Sequence, residues 1–229
     1  MRTVQLAEVA AVLADPTRAA MCLALLDGRA WTVGELGRAV GVAPSSASEQ
    51  VGRLAAAGFI STVHQGRHRY VRITDNRVAE LVERLAEHAE HRPATGLRGT
   101  LSRNRLAFAR TCYDHLAGRL GVAIRSRMLA TGLIDTSDGL ALTEAGRTAL
   151  HELGVPMPSG ARRPLLKECL DWTERREHLG GALPAALLAH AVDWHWLERG
   201  TDRSVRLLPE GHEPLAVLGV WSVDLGLEY

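Results

Sequence analysis

The sequence predicts a mainly α protein with small β-hairpin wings, an α+β arrangement in two parts. Three observations predict it. Apolar residues recur at helical spacing through most of the 229 residues. Short strand-like segments flank turn residues, as where Ile60 and Val63 face Val71 and Ile73 across Gln65-Gly66. The run His91-Arg92-Pro93-Ala94-Thr95-Gly96 then breaks the helical pattern. The expected domains are therefore residues 1–92 and 93–229, each long enough to bury its own core.

Bulk properties bound the function classes. Hydrophobic residues make up 46% of the chain, yet no apolar run is long enough to span a bilayer. The opening Met1-Arg2-Thr3-Val4-Gln5-Leu6-Ala7-Glu8 has no secretory character. Three widely spaced cysteines make no disulfide framework. A cytoplasmic chain is the expectation. The net charge is +1, so any contact with a polyanion has to be local. Lys167 is the only lysine, and arginine carries nearly all the basic charge.

The first part reads in order. A helix is expected from Thr3 to Ala14 on the broad apolar face of Val4, Leu6, Ala7, Val9, Ala10, Ala11 and Leu13. Asp15 can cap a second helix that starts at Pro16 and ends at Asp27-Gly28, with Met21, Leu25 and Leu26 inward. Thr32 and Glu35 have capping-box spacing for a third, with Val33, Leu36 and Val40 on one side. Gly41-Val42 is a tight turn. A fourth helix begins near Ala43-Pro44-Ser45 and runs through Val51 and Leu54 to Gly58. Two short helices, a glycine turn and small polar residues opening the second make a helix-turn-helix. Short hydrogen-bonding side chains suit a helix end that has to approach base edges closely. The following hairpin carries Arg67, His68, Arg69 and Arg72, positive charge that can reach phosphates beside a groove.

These motifs resemble the ArsR/SmtB family over about residues 5–90. The resemblance rests on Leu13-Ala14-Asp15-Pro16-Thr17-Arg18, Trp31-Thr32-Val33-Gly34-Glu35-Leu36, Ser45 to Leu54, Ala57-Gly58-Phe59-Ile60, and the Gly66 to Tyr70 hairpin. It implies a homodimeric winged-helix repressor that binds a palindromic operator in double-stranded DNA and is released by an inducer. That inducer is left open between a metal ion, a thiol oxidant and a small molecule. The DNA-reading set is expected to be Pro44, Ser45, Ser46, Ser48, Glu49, Gln50, Arg53, Arg67, His68 and Arg69. Glu49 and Gln50 depart from the basic and histidine residues common there. Glu49 can accept from cytosine or pair with Arg53 one turn on, and Gln50 can read adenine.

Thr74 or Asp75 caps a further helix to about Glu90, with Val78, Leu81, Val82, Leu85 and Ala89 as its apolar stripe. In the family this helix pairs with its mate across the dimer axis. Metal-sensing members carry four ligands along it. Here Asp75, His88 and His91 match three of those positions, while Arg77 takes the fourth and cannot ligate. The alternative is that His88 packs at the dimer seam and His91 is solvated.

The second part shows an internal repeat. Leu142 to Val155 aligns with Leu207 to Val220, and each copy follows a strand-turn-strand segment. Two degenerate winged units forming a regulatory region are expected. Ala109, Cys112, Tyr113, Leu116 and Leu120 are read as one helical face, and Leu165, Leu166, Cys169 and Thr173 as another. On that reading Cys112 and Cys169 meet in a core, where they either pack as small hydrophobes or bind a soft metal or oxidise. Cys112 and His115, three apart on one helix, also suit a metal or an activated thiolate. Trp172, Trp194, Trp196 and His190 line either a ligand pocket or a helix interface. No nucleophile and oxyanion arrangement is evident, so no enzyme is expected. A protein-interaction module, or a thiol or metal sensor centred on the extension, stands as the alternative to a repressor.

Overall fold

The computed structural model describes residues 6–66, 68–88, 96–160, 163–200 and 202–226. The chain divides into two compact units, Met1–His88 and Ala89–Tyr229.

The first unit begins with α1 (Leu6–Leu13) and α2 (Pro16–Leu25). Asp15 caps α2 by accepting from the Arg18 backbone N–H. After α2 come β1 (Trp31–Thr32), α3 (Val33–Val40), α4 (Pro44–Ala56), β2 (Ile60–Gln65), β3 (His68–Ile73) and α5 (Asn76–His88). The expected capping box of Thr32 and Glu35 opens α3, and Gly41 closes it at φ 74°. β2 and β3 form the wing hairpin, with Ile60 opposite Ile73 and Gln65 opposite His68. The residues before α3 do more than cap it. Trp31 and Thr32 pair with Val71 and Tyr70, so the sheet runs β1-β3-β2. Met21, Leu25, Leu36, Val51, Leu54, Val71 and Ile73 form the buried core.

The second unit is built from one motif used twice. After α6 (Gly96–Phe108), the first copy runs β4 (Arg110–Cys112), β5 (His115–Ala117), α7 (Gly118–Ala130), β6 (Ile134–Asp135), β7 (Ala141–Leu142) and α8 (Glu144–Glu152). The second runs β8 (Lys167–Leu170), β9 (Glu177–Gly180), α9 (Ala182–Asp193), β10 (Leu197–Arg199), β11 (Val205–Leu207) and, after a 3-10 turn, α10 (His212–Val217). Each copy is hairpin, helix, hairpin, helix. The repeat read from the sequence covered only the later half of each. The copies pack crosswise, with α7 on β9 and α9 on β5. One apolar core runs through both, including Leu120, Ile134, Leu150, Leu188, Leu197 and Leu218.

Two helical faces expected from periodicity are strands. Cys112 and His115 sit on β4 and β5 as cross-strand partners, and Cys169 sits on β8. A period of three or four apolar residues does not separate a helix from a short hairpin when each strand is only three or four residues long. Tyr113, at φ 58°, makes the reversal between β4 and β5.

Candidate nucleic-acid interface and a thiol–imidazole cluster

The helix-turn-helix is set by a close crossing of α3 and α4. A Cβ at Gly37 would stand 2.8 Å from the Ala47 Cβ, so only glycine lets the two backbones approach this far. With Ala47, Val51 and Leu54 buried, the opposite side of α4 faces outward. Pro44, Ser45, Ser46, Ser48, Glu49 and Arg53 are all exposed. Glu49 accepts from Arg53 at 2.7 Å, the one-turn pairing that the spacing allowed. Gln50 is half-buried, and its Oε1 accepts from Arg18 Nη1 at 2.9 Å. Arg18 also donates to the carbonyls of Val12 and Ala11, fastening α1, α2 and α4 together. The Gln50 carbonyl thus gives one of its two acceptor positions to the scaffold.

On the wing, His68 and Arg72 are exposed and Arg69 is partly buried. Arg67 lies outside the described residues, as do His91 and the side chain of His88. Of the expected metal set, Asp75 is described. It accepts from the backbone N–H groups of Arg77 and Val78 and pairs with the Arg77 guanidinium at 3.2 Å. These bonds, led by the one from Val78, hold its carboxyl below the usual range.

In the second unit, Cys112 and Cys169 do meet, with their sulfurs 3.8 Å apart, in thiol contact and not joined by a disulfide. The hairpins β4-β5 and β8-β9 bring them together with His115 and His178, and the ligating atoms of all four residues lie within 4.8 Å of one another. In each hairpin a cysteine stands opposite a histidine, Cys112 with His115 and Cys169 with His178. Contact with the Cys112 thiol, then with the two imidazoles, draws the Cys169 thiol far below its ordinary range against the opposing effect of burial. The imidazoles stack with centroids 5.2 Å apart.

His178 was missed in the sequence. The signal was present as a recurrent pattern, Cys112-Tyr113-Asp114-His115-Leu116-Ala117-Gly118 against Cys169-Leu170-Asp171 and His178-Leu179-Gly180-Gly181. A longer turn in the second copy hides the match.

Beside the cluster, Arg110 and Asp171 form a buried ion pair at 3.0 Å, and Arg110 also lies over the Trp172 ring. Asp171 accepts from the Gly118 N–H at 2.6 Å and from Thr173. Although burial opposes it, the Arg110 charge and these hydrogen bonds hold the Asp171 carboxyl down to about 2. The segment around Trp196 builds an interface. His190 packs on Trp194 and Trp196, and its Nε2 lies 2.9 Å from the Leu153 carbonyl. The apolar cavity that Trp196 lines holds about 40 Å³, too little for a metabolite-sized ligand.

Comparison with known proteins gives this arrangement a context. Residues 13–63, from the end of α1 into the wing, match a helix-turn-helix domain family. The HTH-type transcriptional regulator YdfF of Bacillus subtilis is 34% identical over 210 residues, covering 90% of this chain and 93% of its own. Among solved structures, the transcriptional repressor BigR of Xylella fastidiosa is 26% identical. It covers 38% of this chain and 89% of its own, at a TM-score of 0.35. The homodimeric winged helix-turn-helix DNA-binding domain Mb0332 of Mycobacterium bovis is 27% identical. It covers 40% of this chain and 88% of its own, at a TM-score of 0.34. Because the relationship to YdfF extends through both units, the chain belongs to the HTH-type transcriptional regulators, with a winged helix-turn-helix in its first unit.

Proposed function

We propose that this regulator is a homodimeric repressor that reads a palindromic operator with α4 and the wing and leaves it when an inducer acts on the protein. The observation that carries the reading is the outward face of α4. Ser45, Ser46 and Ser48 are exposed at its leading edge, above a helix crossing that only Gly37 permits. Short hydroxyl side chains there let the helix end seat deep in a major groove. His68, Arg69 and Arg72 on the wing supply positive charge for the flanking phosphates.

Dimerisation is supported by α1 and α5. α1 buries none of its residues within the chain, with Leu6 and Val9 exposed. On α5, Leu81 and Leu85 of the apolar stripe are 37% and 50% exposed. An amphipathic helix with part of its apolar stripe, Leu81 and Leu85, open to water calls for a partner, and a second copy supplies the two-fold symmetry of a palindrome. A repressor of this kind works where the genome is, in the cytoplasm.

A mobility-shift experiment with DNA from upstream of the gene tests the reading. The expected result is a discrete dimer complex whose affinity falls steeply with salt. Ser46→Ala with Ser48→Ala should erode discrimination between operator and unrelated duplex. Arg69→Ala should weaken binding to both. Indifference to all of these changes would mean that α4 is an interface for protein, not DNA.

A further inference from the structure

We propose that Cys112, His115, Cys169 and His178 form a tetrahedral site for one zinc-class divalent ion, built by the two repeated hairpins of the second unit. The donor set is the first reason. Two thiolates and two imidazoles suit a borderline-soft ion without geometric preference, and four protein ligands leave no position open for chemistry.

Geometry is the second reason. With Zn–S bonds near 2.3 Å, two sulfurs on one tetrahedron stand about 3.8 Å apart. The Cys112 and Cys169 sulfurs are 3.8 Å apart. The third is unmet hydrogen-bonding capacity. His178 is fully buried, and neither of its ring nitrogens makes a hydrogen bond, nor does the buried His115 Nε2. Two buried imidazoles stacked with orphaned nitrogens are costly unless something accepts their lone pairs.

The surroundings complete the site. His115 Nδ1 lies 3.3 Å from Asp114 Oδ1, and His178 Nδ1 lies 3.7 Å from Asp171 Oδ2. The Asp114 carboxylate at hydrogen-bond distance orients His115, the Asp171 carboxylate supplies negative charge on the Nδ1 side of His178 without a hydrogen bond, and Nε2 of each ring is left for the ion. Each carboxylate is fixed in turn by an arginine, Asp114 by Arg163 and Asp171 by Arg110. Both aspartates lie two residues beyond a cluster cysteine, so each repeat supplies one thiol, one imidazole and one carboxylate. Gly180 leaves the room required, since a Cβ there would come within 3.2 Å of His115 Nε2. Charge also closes: two thiolates neutralise the dication, the imidazoles bind neutral, and the protons displaced from the four ligands go to solvent.

The test uses the full-length chain without an affinity tag, purified reduced, stripped with chelator and titrated with Co²⁺. The expected result is saturation at one ion per chain, with tetrahedral visible bands and thiolate-to-cobalt charge transfer, reversed by Zn²⁺. His178→Gln and Cys112→Ser should each abolish or strongly shift these bands, while His88→Gln with His91→Gln should leave them unchanged. Absence of thiolate charge transfer in the unaltered chain overturns the proposal, whatever the variants do. So do bands that survive Cys112→Ser with Cys169→Ser, or that vanish with the His88 and His91 changes. Should the cluster variants fail to fold, the unaltered chain still decides. Zn²⁺ should slow alkylation of Cys112 and Cys169 at least tenfold, and unchanged alkylation counts against the site.

Discussion

Individual side chains in this protein divide between those that set backbone spacing and those that carry chemistry. Gly37 belongs to the first kind. Gly37→Ala places a Cβ 2.8 Å from that of Ala47, and overpacking of this sort costs about 1–3 kcal/mol. Urea unfolding should show a loss in that range, with operator affinity falling further because the reading helix is displaced. An undiminished midpoint would show that α3 and α4 separate freely. Cys22 is chemically inert by placement. It is fully buried, and burial raises its thiol to about 12. A raised pKa means that almost no thiolate exists near neutral pH, and the thiolate is the reactive form. Iodoacetamide at pH 8 should therefore spare Cys22 in the folded chain and modify it only after denaturant is added. Peptide mass mapping reads this directly, and rapid native labelling would contradict the burial argument. The caps and the Glu49–Arg53 pair were legible from spacing because they depend on residues three or four apart. The Gln50–Arg18 bond joins residues 32 apart in sequence, and local pattern carries no information about it.

At the scale of elements, the first unit was readable almost throughout because each helix announces its own ends. Thr32 and Glu35 exchange hydrogen bonds across the first turn of α3. Thr32→Ala should cost about 1 kcal/mol, and Thr32→Ser should restore most of it. Thermal unfolding of the pair checks this, and equal losses in both would assign the effect to β1 pairing instead. The second unit misled the helical reading for a physical reason. β4 and β5 are three residues each, and every residue in them is buried, so the alternation that marks a half-exposed strand is absent. What does mark these hairpins is the glycine that follows each. Gly118 and Gly181 have φ of 80° and 113°, and a Cβ would come within 2.9 Å of the Ala107 carbonyl oxygen and 2.7 Å of that of Leu165. Histidine-leucine-small-glycine is thus the turn from strand into helix in both copies. A search for that string, instead of for apolar period, finds His178.

For the whole molecule, the decisive feature is that the two units have separate cores. The core of the second unit is drawn entirely from residues between Ala109 and Leu225, Leu120 among them, and Leu54 is buried on α4 of the first unit. The first unit carries the helix-turn-helix, so on the proposed function the second is expected to add control rather than recognition. Separate cores predict separate unfolding. In calorimetry of the full chain, Leu54→Ala and Leu120→Ala should each remove about 2–5 kcal/mol, and each should lower a different transition. Operator binding at low temperature should then survive Leu120→Ala but weaken with Leu54→Ala. If both substitutions lower one common transition by the same amount, the units unfold as a single cooperative body. In that case an event at the thiol–imidazole cluster could reach the reading helix through stability alone. If the transitions move independently, stability is not shared between the units within one chain, and the proposed dimer through α1 and α5 is the next route for control to be tested.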